Sequence, residues 1–355
     1  PCAQSNLRGA ELAKGPRVTS TLRCPIDAAA LRAFAVGPEG AVRPVDKHGQ
    51  EYGGSNADII DRFLRVCAIG AGQDEGVVVI RYWHKALGSA LVDAGLINAS
   101  REYALDADKG KDPFDVLPKE LRKVALGRYG FDLDLKGAHP HVKVSMVEPG
   151  RAASEHFLRH RDEILYAVGE RLFPALTHAE HKDKAKGLFS SLDMDGTLAG
   201  FLARQRLPQM HPSTLNVRLG DGSTFDMARY SDCQTDGTAW LWDRLGHDAP
   251  MCEGSTGMGG YVERWMRHHR PDKLAITPAA RTMKSFCFQE GESYGRMAIA
   301  RWAAEQGHAC LSLQHDGVVV SLAHGLTRSD AERACSRACG TACGYSQPVE
   351  VKKMV

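Results

Sequence analysis

The chain has 355 residues, 43% hydrophobic and 25% charged, which is long for one ordinary domain and apolar enough for two cores or one large fold with an insertion. With 45 Lys and Arg against 43 Asp and Glu, the formal charge is only +2; composition therefore excludes a strongly basic nucleic-acid tail and an acidic disordered one, and any contact with a polyanion must be local. No apolar run approaches the ~20 residues of a membrane span. The 10 cysteines include no C-x-x-C pair, so a reduced, intracellular protein is expected rather than a disulfide scaffold. A start at Pro1 reads as a fragment or a processed product.

Residues 1–75 are rich in Gly, Pro and Ala, with helical patterns at Ala28–Phe34 and Ala57–Val66. Gly70-Ala71-Gly72 follows a helical run without the full phosphate-loop fingerprint and reads as a turn. Val77–Trp83 alternates as a strand, and Leu117–Gly127 reads as a short helix opened by Pro118. In Tyr129-Gly-Phe-Asp-Leu-Asp-Leu-Lys-Gly-Ala-His-Pro140, period-2 alternation sets Asp132 and Asp134 on one strand face and Phe131, Leu133 and Leu135 on the other. Two carboxylates beside a buried face are costly without a cation, so the segment points to a hard-metal site; a solvated edge strand is the plainer alternative.

From Ser154 to about Leu207 the pattern is helical, and Lys182 and Lys186 share one helix face. Residues 208–275, with Trp240, Trp242 and Trp265, read as an irregular insertion or outer lobe. Thr282–Gln306 is helical again. The Asp-Gly step of His315-Asp316-Gly317, between two apolar runs, signals a hairpin with Asp316 at its tip. Ser329–Cys343 reads as a helix and Val349–Val355 as a closing strand.

Two strand-borne carboxylates separated in sequence by a lysine-bearing helix meet the requirements of phosphoryl transfer to a 3′ hydroxyl. There, two divalent ions about 3.5–4 Å apart share carboxylates while lysines neutralise a triphosphate. On these residues the chain resembles the palm and fingers of family A DNA polymerases, in particular divergent viral and transposon-borne members with a D-x-x-x-x-H-P first motif. Val116–Arg122 resembles the segment before motif A, and Tyr129–Pro140 resembles motif A. Lys182-x-x-x-Lys186 with Met194-Asp195-Gly196-Thr197 resembles motif B, and Phe288-Gln289-Glu290-Gly291-Glu292 the glutamine-bearing helix. His315-Asp316-Gly317 resembles motif C, and Val349–Met354 the last palm strand.

The resemblance implies an α+β right hand: residues 1–95 as an N-terminal region with part of a thumb, 96–150 as a first palm segment, 151–280 as helical fingers with an insertion, and 281–355 as a second palm segment. It implies Asp134 and Asp316 as catalytic metal ligands with the Leu135 carbonyl, holding two Mg²⁺ for which Mn²⁺ can substitute. Lys182, Lys186 and His139 would face the incoming nucleotide, His139 standing where many members carry a glutamate that excludes ribose. Gln289 and His315 would face the primer terminus or minor groove. The expected partners are primer-template and dNTP, with no membrane, and the expected state is a monomer.

Met194 replaces the usual motif B tyrosine and Asp195 a glycine, adding negative charge beside a polyanion. A polymerase-like chain that only binds nucleic acid is therefore one alternative. Asp193-Met-Asp195-Gly-Thr-Leu198 matches the D-x-D-G-T-L signature of haloacid dehalogenase-type phosphatases, with Asp193 as nucleophile and Asp195 as acid/base, and gives the other. Cys335, Cys339 and Cys343 read as core cysteines of one helix. The pairs His156/His160 and His178/His181 read as surface or core histidines lacking a third ligand.

Overall fold

A computed structural model describes residues 18–45, 51–105, 117–246, 257–313, 316–321 and 326–353. In chain order the strands are β1 (Val18–Asp27), β2 (Glu75–His84), β3 (Glu102–Leu105), β4 (Phe131–Leu135), β5 (Val217–Arg218), β6 (Thr224–Phe225), β7 (Ala309–Leu313), β8 (Gly317–Ser321) and β9 (Val349–Lys353). The helices are α1 (Ala28–Val36), α2 (Asn56–Val66), α3 (Ala86–Asp93), α4 (Lys119–Leu126), α5 (Ala138–Met146), α6 (Arg151–Arg159), α7 (Arg161–Leu172), α8 (His178–Asp193), α9 (Leu198–Arg204), α10 (Met227–Leu245), α11 (Met258–His269), α12 (Pro271–Leu274), α13 (Ala279–Glu305) and α14 (Arg328–Cys343). The fold is α+β, and every strand pairing among the described residues is antiparallel. The chain divides into two compact units: residues 1–90, 99–136 and 292–355, and residues 91–98 and 137–291.

The first unit holds two sheets, β1-β2-β3 and β7-β8-β4-β9. Tyr82 of β2 ties them together: its hydroxyl lies 3.1 Å from Ser312 Oγ and accepts the Leu313 amide at 2.8 Å. Around this junction one core joins Cys24, Ile26, Val78 and Ile80 of the first sheet to Leu311 and Val319 of the second, under Leu31, Ile60, Phe63 and Leu121 from α1, α2 and α4. Strand β8 is apolar without alternation, Val318, Val319 and Val320 all being fully buried, as a strand covered on both faces requires. The edge strand β9 is covered by α14, whose Ser336 hydroxyl and Glu332 carboxylate accept the Val349 and Val351 amides at 2.9 and 3.0 Å. An edge whose outward N–H groups are occupied in this way cannot template another strand.

The second unit is helical. Phe157, Phe189, Phe225 and Tyr230 form its aromatic centre, with Phe157 and Phe189 stacked at 4.5 Å. Helices α7 and α8 cross closely at Gly169, where a Cβ would stand 2.2 Å from the His181 carbonyl oxygen. The expectation of an irregular segment over 208–275 is corrected: it contains the 19-residue α10 and the 12-residue α11. The buried stripe of α10 is Met227, Tyr230, Gln234, Gly237, Thr238 and Leu241. That spacing is helical, but polar residues carry part of it, which hides the period from a hydrophobicity reading.

Candidate active site

Strand β4 is the centre of the site because its alternation is enforced from both sides. Leu133 and Leu135 are buried while Asp132 and Asp134 take the opposite, half-buried face. Register sets Asp134 opposite Gly317 of β8 and opposite Glu350 of β9. At Gly317 a Cβ would stand 2.5 Å from the Leu133 carbonyl oxygen, so only glycine lets β8 approach β4 this closely. Asp316, one residue before β8, has its carbonyl accepting the Leu135 amide at 2.7 Å. The Asp134 and Asp316 carboxyls come within hydrogen-bonding reach of each other.

Burial pushes the Asp134 carboxyl up to about 6, with the neighbouring Asp316 charge adding to the rise and Lys352 opposing it. Asp316 is raised as well, first by burial and then by the charge of Glu292. Two desolvated carboxyls in mutual contact have a strong affinity for positive charge, whether a proton, an ammonium or a metal ion. Their donors are hard oxygens, the type that Mg²⁺ and Mn²⁺ select. Among the described residues no group of three or more His, Cys, Asp and Glu is arranged to hold a metal ion. A cation bound to the pair would therefore complete its shell from backbone carbonyl, substrate and water oxygens.

The sequence reading missed the basic and acidic residues around the pair. Lys352 of β9 donates to Asp134 Oδ2, and Glu350 Oε2 lies 4.0 Å from the same ammonium. Glu292, whose charge acts on Asp316, is paired with Arg101. The signal for Lys352 was present as Glu350-Val351-Lys352, whose period-2 alternation matches Asp132-Leu133-Asp134 on the adjacent strand.

Other expected nucleotide and primer contacts fall in the second unit. Lys182 Nζ pairs with Asp162 at 2.9 Å, and Lys186 Nζ with Asp183 at 2.8 Å. His139 lies in the first turn of α5 with its ring 5.6 Å from that of Phe288. Gln289 of α13 donates to Ser285 Oγ at 3.0 Å. His315 lies outside the described residues.

The phosphatase reading of Asp193 and Asp195 is corrected. Asp193 is the last residue of α8, not the end of a strand, and it accepts the Tyr230 hydroxyl at 2.8 Å in a fully buried position. Asp195 follows in a left-handed turn with φ 59°. Gly196 is required next, since a Cβ there would stand 2.2 Å from Ser191 Oγ, and Thr197 then caps α9. The signature is thus a helix stop followed by a helix start. Asp195 is also not an uncompensated negative charge: Lys284, 1% exposed, donates to it at 2.5 Å, and Thr238 Oγ1 at 2.6 Å. Lys143 lies in the same cluster, 1% exposed and without a hydrogen-bond partner among the described residues, and burial pushes its ammonium down to about 8.

Cys335 and Cys339 are fully buried on α14, and burial raises their thiols far above the ordinary range, which leaves them unreactive. His156 reaches Ser223, His160 reaches Asp221, His178 stacks on Tyr166 and His181 reaches the Phe173 carbonyl. None of the described helices is long and apolar enough to cross a membrane.

No protein-family model and no curated protein matches the sequence. Among solved structures, the chain is similar in fold to the POL domain of Pol1 from M. smegmatis, solved in complex with DNA primer-template and dNTP. The match has a TM-score of 0.50 at 12% identity, and it covers 90% of this chain and 59% of that one. The chain thus spans less than two thirds of that structure, and the likeness is one of fold.

Proposed function

We propose that this chain is a template-directed DNA polymerase that transfers a nucleotidyl group from dNTP to a primer 3′ hydroxyl. The observation that carries this reading is the Asp134 and Asp316 pair, the first on β4 and the second just before the adjacent antiparallel β8, with their carboxyls in contact. The polymerase-domain fold supports it. Under this reading the sheet β7-β8-β4-β9 belongs to the palm and the helical segment over 151–280 is the fingers.

Asp134, Asp316 and the Leu135 carbonyl would hold two Mg²⁺, with Mn²⁺ as a substitute. Bound there, the ions would lower the pKa of the attacking hydroxyl and stabilise the leaving pyrophosphate. The strand geometry does the rest. Asp134 and Asp316 sit on hydrogen-bonded backbone, so their carboxylates are held in place before substrate arrives. Lys182 and Lys186 would exchange their surface acids Asp162 and Asp183 for the triphosphate. His139 would line the nucleotide, and Gln289 and His315 would contact the primer terminus or minor groove.

The test is extension of a primed DNA template with Mg²⁺ and dNTPs. Asp134→Asn and Asp316→Asn should each lower the rate by about a hundredfold to a thousandfold, the scale of losing one preorganised electrostatic contact from a transition state. Extension that persists in both variants overturns the reading. Primer-template binding without extension by the unmodified chain, under the same conditions, replaces it with the binding-only alternative.

A further inference from the structure

We propose that Lys352 is a built-in counter-ion that occupies the Asp134 carboxylate until a divalent cation displaces it, so that the closing strand sets the cation affinity of the site. This inference rests on the reading of Asp134 as a cation ligand.

Its basis is the register of β4 on β9. Asp134 stands opposite Glu350 and Asp132 opposite Lys352, so the ammonium reaches Asp134 along the diagonal of a cross-strand pair. The face therefore carries three carboxylates, Asp132, Asp134 and Glu350, with Asp316 against Asp134. Lys352 is the cation that β9 supplies to them. Its side chain is 45% exposed and that of Asp134 20%, so the ammonium lies at the solvent side of the carboxylate, where an arriving ion would meet it. Glu350 Oε2, 4.0 Å from Nζ, offers a second acceptor on the same strand. A flexible four-carbon stem with three rotatable donors can swing from one carboxylate to the other without moving backbone. An arginine would instead hold a carboxylate through two parallel bonds.

An ammonium and a divalent ion that compete for the same carboxylate oxygens raise each other's apparent dissociation constant. The direction depends on the residue at 352 in a way that a general charge effect does not reproduce. Lys352→Met vacates the carboxylate, whereas Lys352→Arg keeps the charge and occupies the carboxylate more firmly.

The experiment is Mn²⁺ titration of the whole chain without nucleotide, followed by electron paramagnetic resonance of the free ion, on the unmodified protein, Lys352→Met, Lys352→Arg and Asp134→Asn. Lys352→Met should tighten the apparent Kd about threefold to tenfold, and Lys352→Arg should weaken it by at least about twofold, on the scale of a partly exposed ion pair. Equal constants for the lysine and arginine forms, or no tightening in the methionine form, overturn the inference. Asp134→Asn separates this failure from that of the proposed function. If it binds Mn²⁺ as the unmodified chain does, Asp134 is not a cation ligand and both readings fall. If it loses Mn²⁺ while the position-352 variants are unchanged, only the role of Lys352 falls.

Discussion

Replacing Lys143 by methionine should stabilise this protein at neutral pH, although the substitution removes a charge from the middle of a charge cluster. Lys143 is 1% exposed, and its buried ammonium has no hydrogen-bond partner among the described residues. Burial, opposed by Asp193 and reinforced by Lys284, brings it down from the ordinary 10.5 to about 8. That drop is already net of the attraction to Asp193, so it measures how far the folded state disfavours the charged form. At about 1.4 kcal/mol per tenfold change in proton affinity, it amounts to about 3 kcal/mol against folding.

The pH window follows from the sign. Between about 8 and 10.5 the unfolded chain binds the proton that the folded chain has released, so the contribution of Lys143 to stability rises with pH across that interval. Below about 8 the full penalty applies. Methionine has a similar length and no charge to desolvate. Lys143→Met should therefore gain about 2–3 kcal/mol at neutral pH, with the advantage shrinking toward pH 10. Asp193 keeps the Tyr230 hydroxyl and the nearby Lys284 charge as compensation. Urea unfolding followed by circular dichroism at the two pH values measures both quantities. A variant less stable than the parent at neutral pH, or a difference that does not change with pH, refutes the reasoning.

Gly317→Ala forces a Cβ to within 2.5 Å of the Leu133 carbonyl oxygen; a loss of about 1–3 kcal/mol is expected in thermal unfolding, together with slower primer extension, because relief of the clash must move Asp134. Lys186→Ala gives up only an exposed pair with Asp183, so its Tm should change by no more than about 1–2 °C, while the KM for dNTP in the extension assay should rise about tenfold or more through loss of a triphosphate contact. An unchanged KM removes Lys186 from the nucleotide site.

Much of the architecture was legible because local chemistry dictates it. The alternation of Phe131–Leu135, the Asp316-Gly317 step and the helical stripes all predict elements that the structure contains. Ser55 and Thr327 are helix-capping residues whose side chains accept amides of the first turn, placing the starts of α2 and α14. Of the candidate site, only the two carboxylates were legible in this way. Asp134 and Asp316 stand out as polar residues at the margins of apolar strands, a pattern that needs only neighbouring residues to read.

What only tertiary structure decided is which charges meet. Lys352 reaches Asp134 across 218 residues of chain, and Lys284 reaches Asp195 across 89. Nothing in the local sequence of Asp195 announces a buried lysine from another helix, so the same residue read as an uncompensated charge or as a phosphatase acid. The fold resolves this by ending α8 at Asp193 and turning the chain through Gly196. Sequence period determines which face a side chain takes, because backbone geometry is local. Its partner, and so its charge state and its role, depends on strand register and helix crossings that close over long stretches of chain.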